Sequence, residues 1–195
     1  MRHPLLKTAL VALLLLPCST GSAANPVELY RISRDAPIIE ALEILDHSPE
    51  KAIIPWMVSH DVRVLFKDMR LELGKAYMNH DALTIISNDD QQVIYINSKH
   101  MMAPPQALAA LIRHEAMHDD RDNSLQEELT AWNKEGQTWQ EMLTHYPELK
   151  QIPPHTVALV DRLNAINILQ QQNRLQDQVF KNIAYQGLPE HSPGF

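Results

Sequence analysis

The chain has 195 residues, with 17 basic and 24 acidic side chains and a net charge of −7. That length favours a single domain. The acidic balance argues against nucleic acid and against anionic membranes as partners.

Residues 1–24 have the order of a secretory signal peptide: Arg2 and Lys7 in a basic start, an apolar run from Thr8, then small residues ending in Ser22-Ala23-Ala24. Cleavage is expected after Ala24, which makes the protein exported, either periplasmic or secreted. The apolar run is too short to span a bilayer, and nothing after Ala24 reads as transmembrane. Cys18 is the only cysteine and leaves with the signal. Pro17 stands where a lipidated cysteine wants a small residue. Losing Arg2 and Lys7, and no acidic residue, moves the net charge from −7 to −9. With no thiolate left, any metal site in residues 25–195 must use histidine and carboxylates.

Residues 27–32 read as a short strand. Pro37 then opens a helix with Ile38, Leu42 and Leu45 at helical spacing. Ser48 and Pro49 have the form of an N-cap and first helical position, with Ile53, Ile54, Met57 and Val58 on the buried side. Both helices read as packing elements. From Asp61 the period changes. Residues 62–66 read as a strand, and residues 71–73 as another, ended by Gly74. Two β-branched runs, residues 83–87 and 92–97, flank an Asn88-Asp89-Asp90 turn and predict a hairpin. The expected fold class is therefore α+β, with a small antiparallel sheet packed on a mainly helical domain.

Pro104-Pro105 starts the next helix, in which Leu108, Leu111 and Ile112 with Ala109 and Ala110 leave almost no polar face. Such a helix is buried at the centre of a domain. It ends in His114-Glu115-Ala116-Met117-His118, an H-E-x-x-H sequence. Residues four apart share a helical face, so His114 and His118 can direct two imidazoles at one zinc ion, with Glu115 beside them as a general base. Buried polar groups need partners, which a metal or an extensive hydrogen-bond network would supply. After a polar turn, Ser124 opens a second helix with Leu125, Leu129, Trp132, Trp139 and Leu143 on one stripe, stopping near Pro147. A third helix runs from about His155 through Leu163 and Leu169, and its stripe continues through Leu175, Val179 and Ile183.

A catalytic zinc ion usually takes a third protein ligand. Glu127 and Glu128 are the candidates, about 100° apart around the axis. Ser124-Leu125-Gln126-Glu127 fits a capping box that folds Glu127 back on the N-cap amide. Glu128 shares the inward face with Leu125, Ala131 and Trp132, and is the preferred ligand.

His114-Glu115-x-x-His118 followed by Glu128-x-x-Ala131 on the next helix resembles the gluzincin branch of the zinc metallopeptidases. The resemblance covers roughly residues 62–143. It implies a zincin-like domain over residues 25–195, with a core at about 62–143 and C-terminal helices at 155–185. It also implies Zn2+ held by His114, His118 and Glu128, Glu115 as base, and a peptide or protein substrate pairing with the strand Gln92–Asn97. The expected activity is exported, zinc-dependent peptide hydrolysis. The alternative is a catalytically silent zinc-binding regulatory module, against which the retained Glu115 argues. His155, His145 and Tyr185 are the candidates for stabilising an oxyanion. Asp119, Asp120 and Asp122 are candidates for orienting the ligand imidazoles. His47, His60, His80, His100 and His191 read as surface residues.

Overall fold

The computed structural model describes residues 25–119 and 121–192, so the signal-peptide expectation for residues 1–24, and Asp120, lie outside the described residues. In chain order the elements are α1 (Pro26–Ile32), α2 (Ala36–Asp46), α3 (Ile53–Ser59), β1 (Arg63–Lys67), α4 (Met69–Glu72), β2 (Ala82–Ile86), β3 (Gln92–Asn97), α5 (Pro105–Glu115), α6 (Leu125–His145), α7 (Ala158–Gln171) and α8 (Leu175–Lys181). The class is α+β, as expected. Among the described residues no helix is long and apolar enough to cross a membrane.

The first element corrects the sequence reading. Residues 27–32 are helical because Asn25 and Glu28 form a reciprocal capping box around Pro26, and this local signature outweighs strand propensity. Residues 71–73 also fall at a short helix rather than a strand, since Asp68 accepts from Leu71 N–H at 3.0 Å. Ser48 caps a turn, its hydroxyl accepting from Glu50 N–H at 3.1 Å, and the helix proper begins only at Ile53.

The sheet is mixed rather than wholly antiparallel. Its order is β1-β3-β2. The predicted hairpin is present, with Thr84 opposite Ile94 in the antiparallel β2–β3 pair. But β1 pairs with β3 in parallel, Val64 opposite Ile94. Residues 68–81, which carry α4 and a 3-10 turn at Lys75–Tyr77, bring the chain across before β2 begins. The whole connection from β1 to β3, residues 68–91, includes β2 and is long enough for the crossover that a parallel pair requires. The consequence for the site is that β3, expected to pair with substrate, is central, and β2 is the edge strand that touches α5.

Helix α5 is buried along its whole core from Ala107 to Glu115. It packs on α2 on one side and α6 on the other, and touches β2. Leu108, Leu111 and Ile112 are essentially inaccessible, and each contributes roughly 1.5–3 kcal/mol by burial. Ala131 is fully buried where α6 faces α5, consistent with a small residue allowing close approach. Further along α6, a side chain at Gly136 would collide with Gln170 of α7. Glycine there lets Gln170 Nε2 reach the Asn133 carbonyl at 3.0 Å, and brings α7 close to Glu135. The third predicted helix is in fact two. Asn173, with φ of 54°, ends α7, and Arg174 N–H bonds back to the Leu169 carbonyl at 2.8 Å, a left-handed C-terminal cap of the kind asparagine tolerates.

Candidate metal centre

Helix α5 ends one turn earlier than the motif suggests. Its last residue is Glu115, and Ala116 is the C-cap. His118 is carried by a tighter turn, with Met117 N–H on the His114 carbonyl at 2.9 Å and His118 N–H on the Glu115 carbonyl at 3.2 Å. The His118 carbonyl, left without a helical partner, accepts from the Gln92 side chain at 2.8 Å. The two imidazoles still face the same point, with ring centroids 5.4 Å apart.

Helix α6 supplies the third group. Ser124 Oγ accepts from Glu127 N–H at 3.2 Å, which starts the helix and sets its rotation. His114, His118 and Glu128 then converge, with one ligand atom from each lying within 4.8 Å of the others. His114 Nε2 is 3.9 Å from Glu128 Oε2, and His118 Nε2 is 3.8 Å from Glu128 Oε1. Tetrahedral zinc wants ligand atoms ~3.4 Å apart at its usual bond lengths. The two imidazole–carboxylate separations exceed that by about half an ångström. Glu128 Oε1 accepts from Asn123 Nδ2 at 2.6 Å. Glu128 Oε2 is buried with no hydrogen-bond partner, an arrangement that is costly unless a cation completes it. Glu115, Glu127, Glu128 and Glu135 are all buried here. The Arg162 guanidinium, on Glu135, offsets one of those charges, and a divalent cation suits the remainder.

Glu127 has a different task from the one expected. It does not fold back on the N-cap; Ser124 N–H instead donates to Asn123 Oδ1 at 2.7 Å. The fully buried Glu127 carboxylate lies 2.7 Å from His118 Nδ1, and Ser192 Oγ donates to its other oxygen at 3.4 Å. That bond orients the ring and leaves Nε2 pointing at the cluster. Glu135 stands 3.0 Å from His114 Nδ1, at an angle too oblique for a hydrogen bond. The carboxylates behind the two imidazoles are therefore Glu127 and Glu135. Asp119 and Asp122 line a neighbouring cavity with Trp56 and His60.

The Glu115 carboxylate faces the same point, with Oε1 4.0 Å from His114 Nε2. Thr84 Oγ1, on the edge strand, is 2.9 Å from both the Glu115 carbonyl and Oε2. One hydroxyl proton serves one of them at a time, and either way Glu115 is tied to β2. These groups open into a cleft of about 500 Å³, with Tyr77, Thr84 and Ile85 along one side and Tyr185 and Leu188 on the other. The C-terminal segment forms that second side because the Pro189 and Glu190 carbonyls accept from Leu125 and Gln126 N–H at 2.9 and 3.1 Å, satisfying the open amides of α6. A larger, shallower groove of about 860 Å³ between α6, α7 and α8 is lined mostly by carboxamides and holds none of these groups.

Tyr185 lines the cleft, whereas His145 and His155 do not. Its hydroxyl oxygen accepts from Trp132 Nε1 at 2.9 Å. Burial and the Glu128 charge push its pKa well above the ordinary phenol value, so it stays a donor. His100, read as a surface residue, is instead buried against Asp81 at 2.7 Å. His80 lines the cleft beside Tyr77.

Burial alone would lower the His118 pKa, but the Glu127 hydrogen bond and the charges of Glu115 and Glu128 raise it to about 9. With no ion bound, that folded value exceeds the unfolded value of about 6.5. The stabilisation is therefore full below pH ~6.5 and lost as pH rises through about 9. Thermal melts in chelating buffer are expected to fall over this window; a flat profile contradicts it.

Thr84, Gln92, Asn123, Glu135 and Arg162 were not foreseen. Glu135 had a signal, since it stands seven residues beyond Glu128 on the same helical face. Thr84 and Gln92 had none, because their partners lie far away in the chain. No family model matches this chain, and no curated protein or solved structure matches it either.

Proposed function

We propose that this protein is an exported zinc-dependent metallopeptidase, with His114, His118 and Glu128 holding the ion and Glu115 acting as general base. The observation that carries the reading is Glu115 itself. It is buried beside the cluster, 4.0 Å from His114 Nε2, and held by Thr84, yet neither imidazole uses it as its orienting partner. A purely structural metal site has no use for such a carboxylate.

Two imidazoles and a carboxylate are a donor set that catalytic zinc takes. Zinc there supplies Lewis acidity and lowers the pKa of water toward neutrality. Glu115 takes the proton of the attacking water and hands it to the leaving amine. Thr84 keeps the carboxylate in place while it does so. Tyr185, which lines the same cleft and is kept protonated, is the donor available to the carbonyl oxygen as negative charge develops on it. The bond from Trp132 occupies a lone pair of Tyr185, not its proton. An extended peptide can add to the outer edge of β2, which among the described strands is hydrogen-bonded on one side only. The resemblance assigned that job to Gln92–Asn97, which is already paired on both sides.

Purified protein is expected to carry about one zinc ion per chain. Peptide cleavage should stop on chelation and return when zinc is added back. A folded preparation that cleaves peptides with no bound metal sinks the proposal.

A further inference from the structure

A run of ion pairs, buried at Glu135 and part-buried at Arg162 and Asp81, leads from His114 to the start of β2. The Arg162 guanidinium takes the Glu135 carboxylate with both arms of its fork, Nη1 on Oε1 and Nη2 2.8 Å from Oε2. The second of these oxygens is the one that stands 3.0 Å from His114 Nδ1. Arg162 Nε lies 3.3 Å from Asp81 Oδ2. Asp81 Oδ1 in turn meets His100 Nε2 and Lys99 Nζ, each at 2.7 Å. Arg162 also lies 5.2 Å over the Trp132 ring, and that ring meets His114 edge-on at 6.5 Å.

We propose that Arg162 and Asp81 are positioning residues for the His114 imidazole, tying its orientation to the start of β2. The proposal rests on the reading of this site as a metal centre. The Glu135 carboxylate stands behind His114 Nδ1 and is paired with Arg162, and a partner at Nδ1 turns Nε2 toward the cluster. Because the His114–Glu135 contact is oblique, the position of the carboxylate matters, and a guanidinium fork fixes both of its oxygens. Asp81 fixes the guanidinium in turn. It immediately precedes Ala82, the first residue of β2, and the same strand holds Glu115 through Thr84. One strand therefore controls a metal ligand through ion pairs and the general base through a hydroxyl.

The test compares zinc affinity, by competition with a chromophoric chelator, and Co2+ absorption spectra. The variants are Arg162→Met, Arg162→Lys, Asp81→Asn and Asn164→Ala. Asn164 is also on α7 and accepts from Trp139 Nε1 at 2.9 Å, outside the run of ion pairs, so it controls for loss of stability alone. Arg162→Met should lose about 10–100-fold in zinc affinity, the usual consequence of removing support behind a ligand. Arg162→Lys and Asp81→Asn should move the same way by less, with shifted Co2+ bands, while Asn164→Ala keeps wild-type affinity. If Arg162→Met does not fold, the two conservative variants decide. Unchanged affinity and spectra in folded Arg162→Lys and Asp81→Asn, with only a lower melting temperature, overturn the proposal and leave the metal centre standing. Wild-type protein whose zinc affinity is untouched by His118→Ala defeats the metal reading, and the proposal with it.

Discussion

Glu115→Gln is expected to abolish peptide hydrolysis while zinc stays bound. Glutamine has the shape of glutamate and still offers an oxygen to Thr84, now 2.9 Å from Oε2. The fold around β2 and α5 is therefore preserved. What disappears is the capacity to take a proton from water, a loss of at least about 10²–10⁴-fold in rate. The measurement is kcat on a peptide substrate beside zinc content in the same preparation. Near-normal turnover would remove Glu115 from the chemistry. Loss of zinc along with activity would make it a ligand instead. The same variant separates an enzyme from an exported binding module. Comparing exported proteins from cells carrying wild type and Glu115→Gln should reveal uncleaved substrates only in the variant, whereas a silent module would leave both profiles alike.

Glu128→Gln should cost more metal affinity than Glu127→Gln, although the two residues are neighbours on α6. Glu128 contributes the anionic donor of the cluster, with Oε2 buried and unpartnered. On the proposed reading, removing its charge takes away a direct ligand. Glu127 contributes the 2.7 Å contact behind His118, and loss of such a partner costs about 10–100-fold. Zinc affinities of the two variants, measured by chelator competition, should therefore rank Glu128→Gln well below Glu127→Gln. The reverse order would exchange their roles and return Glu127 to the metal. Equal, small losses in both would mean that α6 supplies no ligand.

Much of the scaffold was legible before any coordinates. The apolar run through Leu108, Leu111 and Ile112 marked α5 as the central helix, because a helix without a polar face has nowhere else to go. The hairpin was legible from two β-branched runs around an Asn/Asp turn. Ser124 marked the start of α6. Errors arose where local signals competed: the capping box at Asn25 and Glu28 outweighed the strand-like composition of residues 27–32. The partner of β1 was not legible, because alternation reports a strand and its buried face but not its neighbour.

The candidate site divides along the same line. The sequence by itself determined the spacing of His114, Glu115 and His118, and placed Glu128 on the inward face of the next helix. These are relations of periodicity within one element, set by 3.6 residues per turn. Tertiary structure alone decided that Glu127 turns away from its own N-cap to hold His118. It also decided that Tyr185, rather than His145 or His155, lines the cleft. And it decided that β2 is an edge strand lying against α5, so that Thr84 holds Glu115 and Asp81 meets Arg162. Those pairs are joined across 31 and 81 positions of chain. Contacts at that range are set by how buried charges find partners once α5, α6, α7 and the sheet have packed, and no local pattern encodes them.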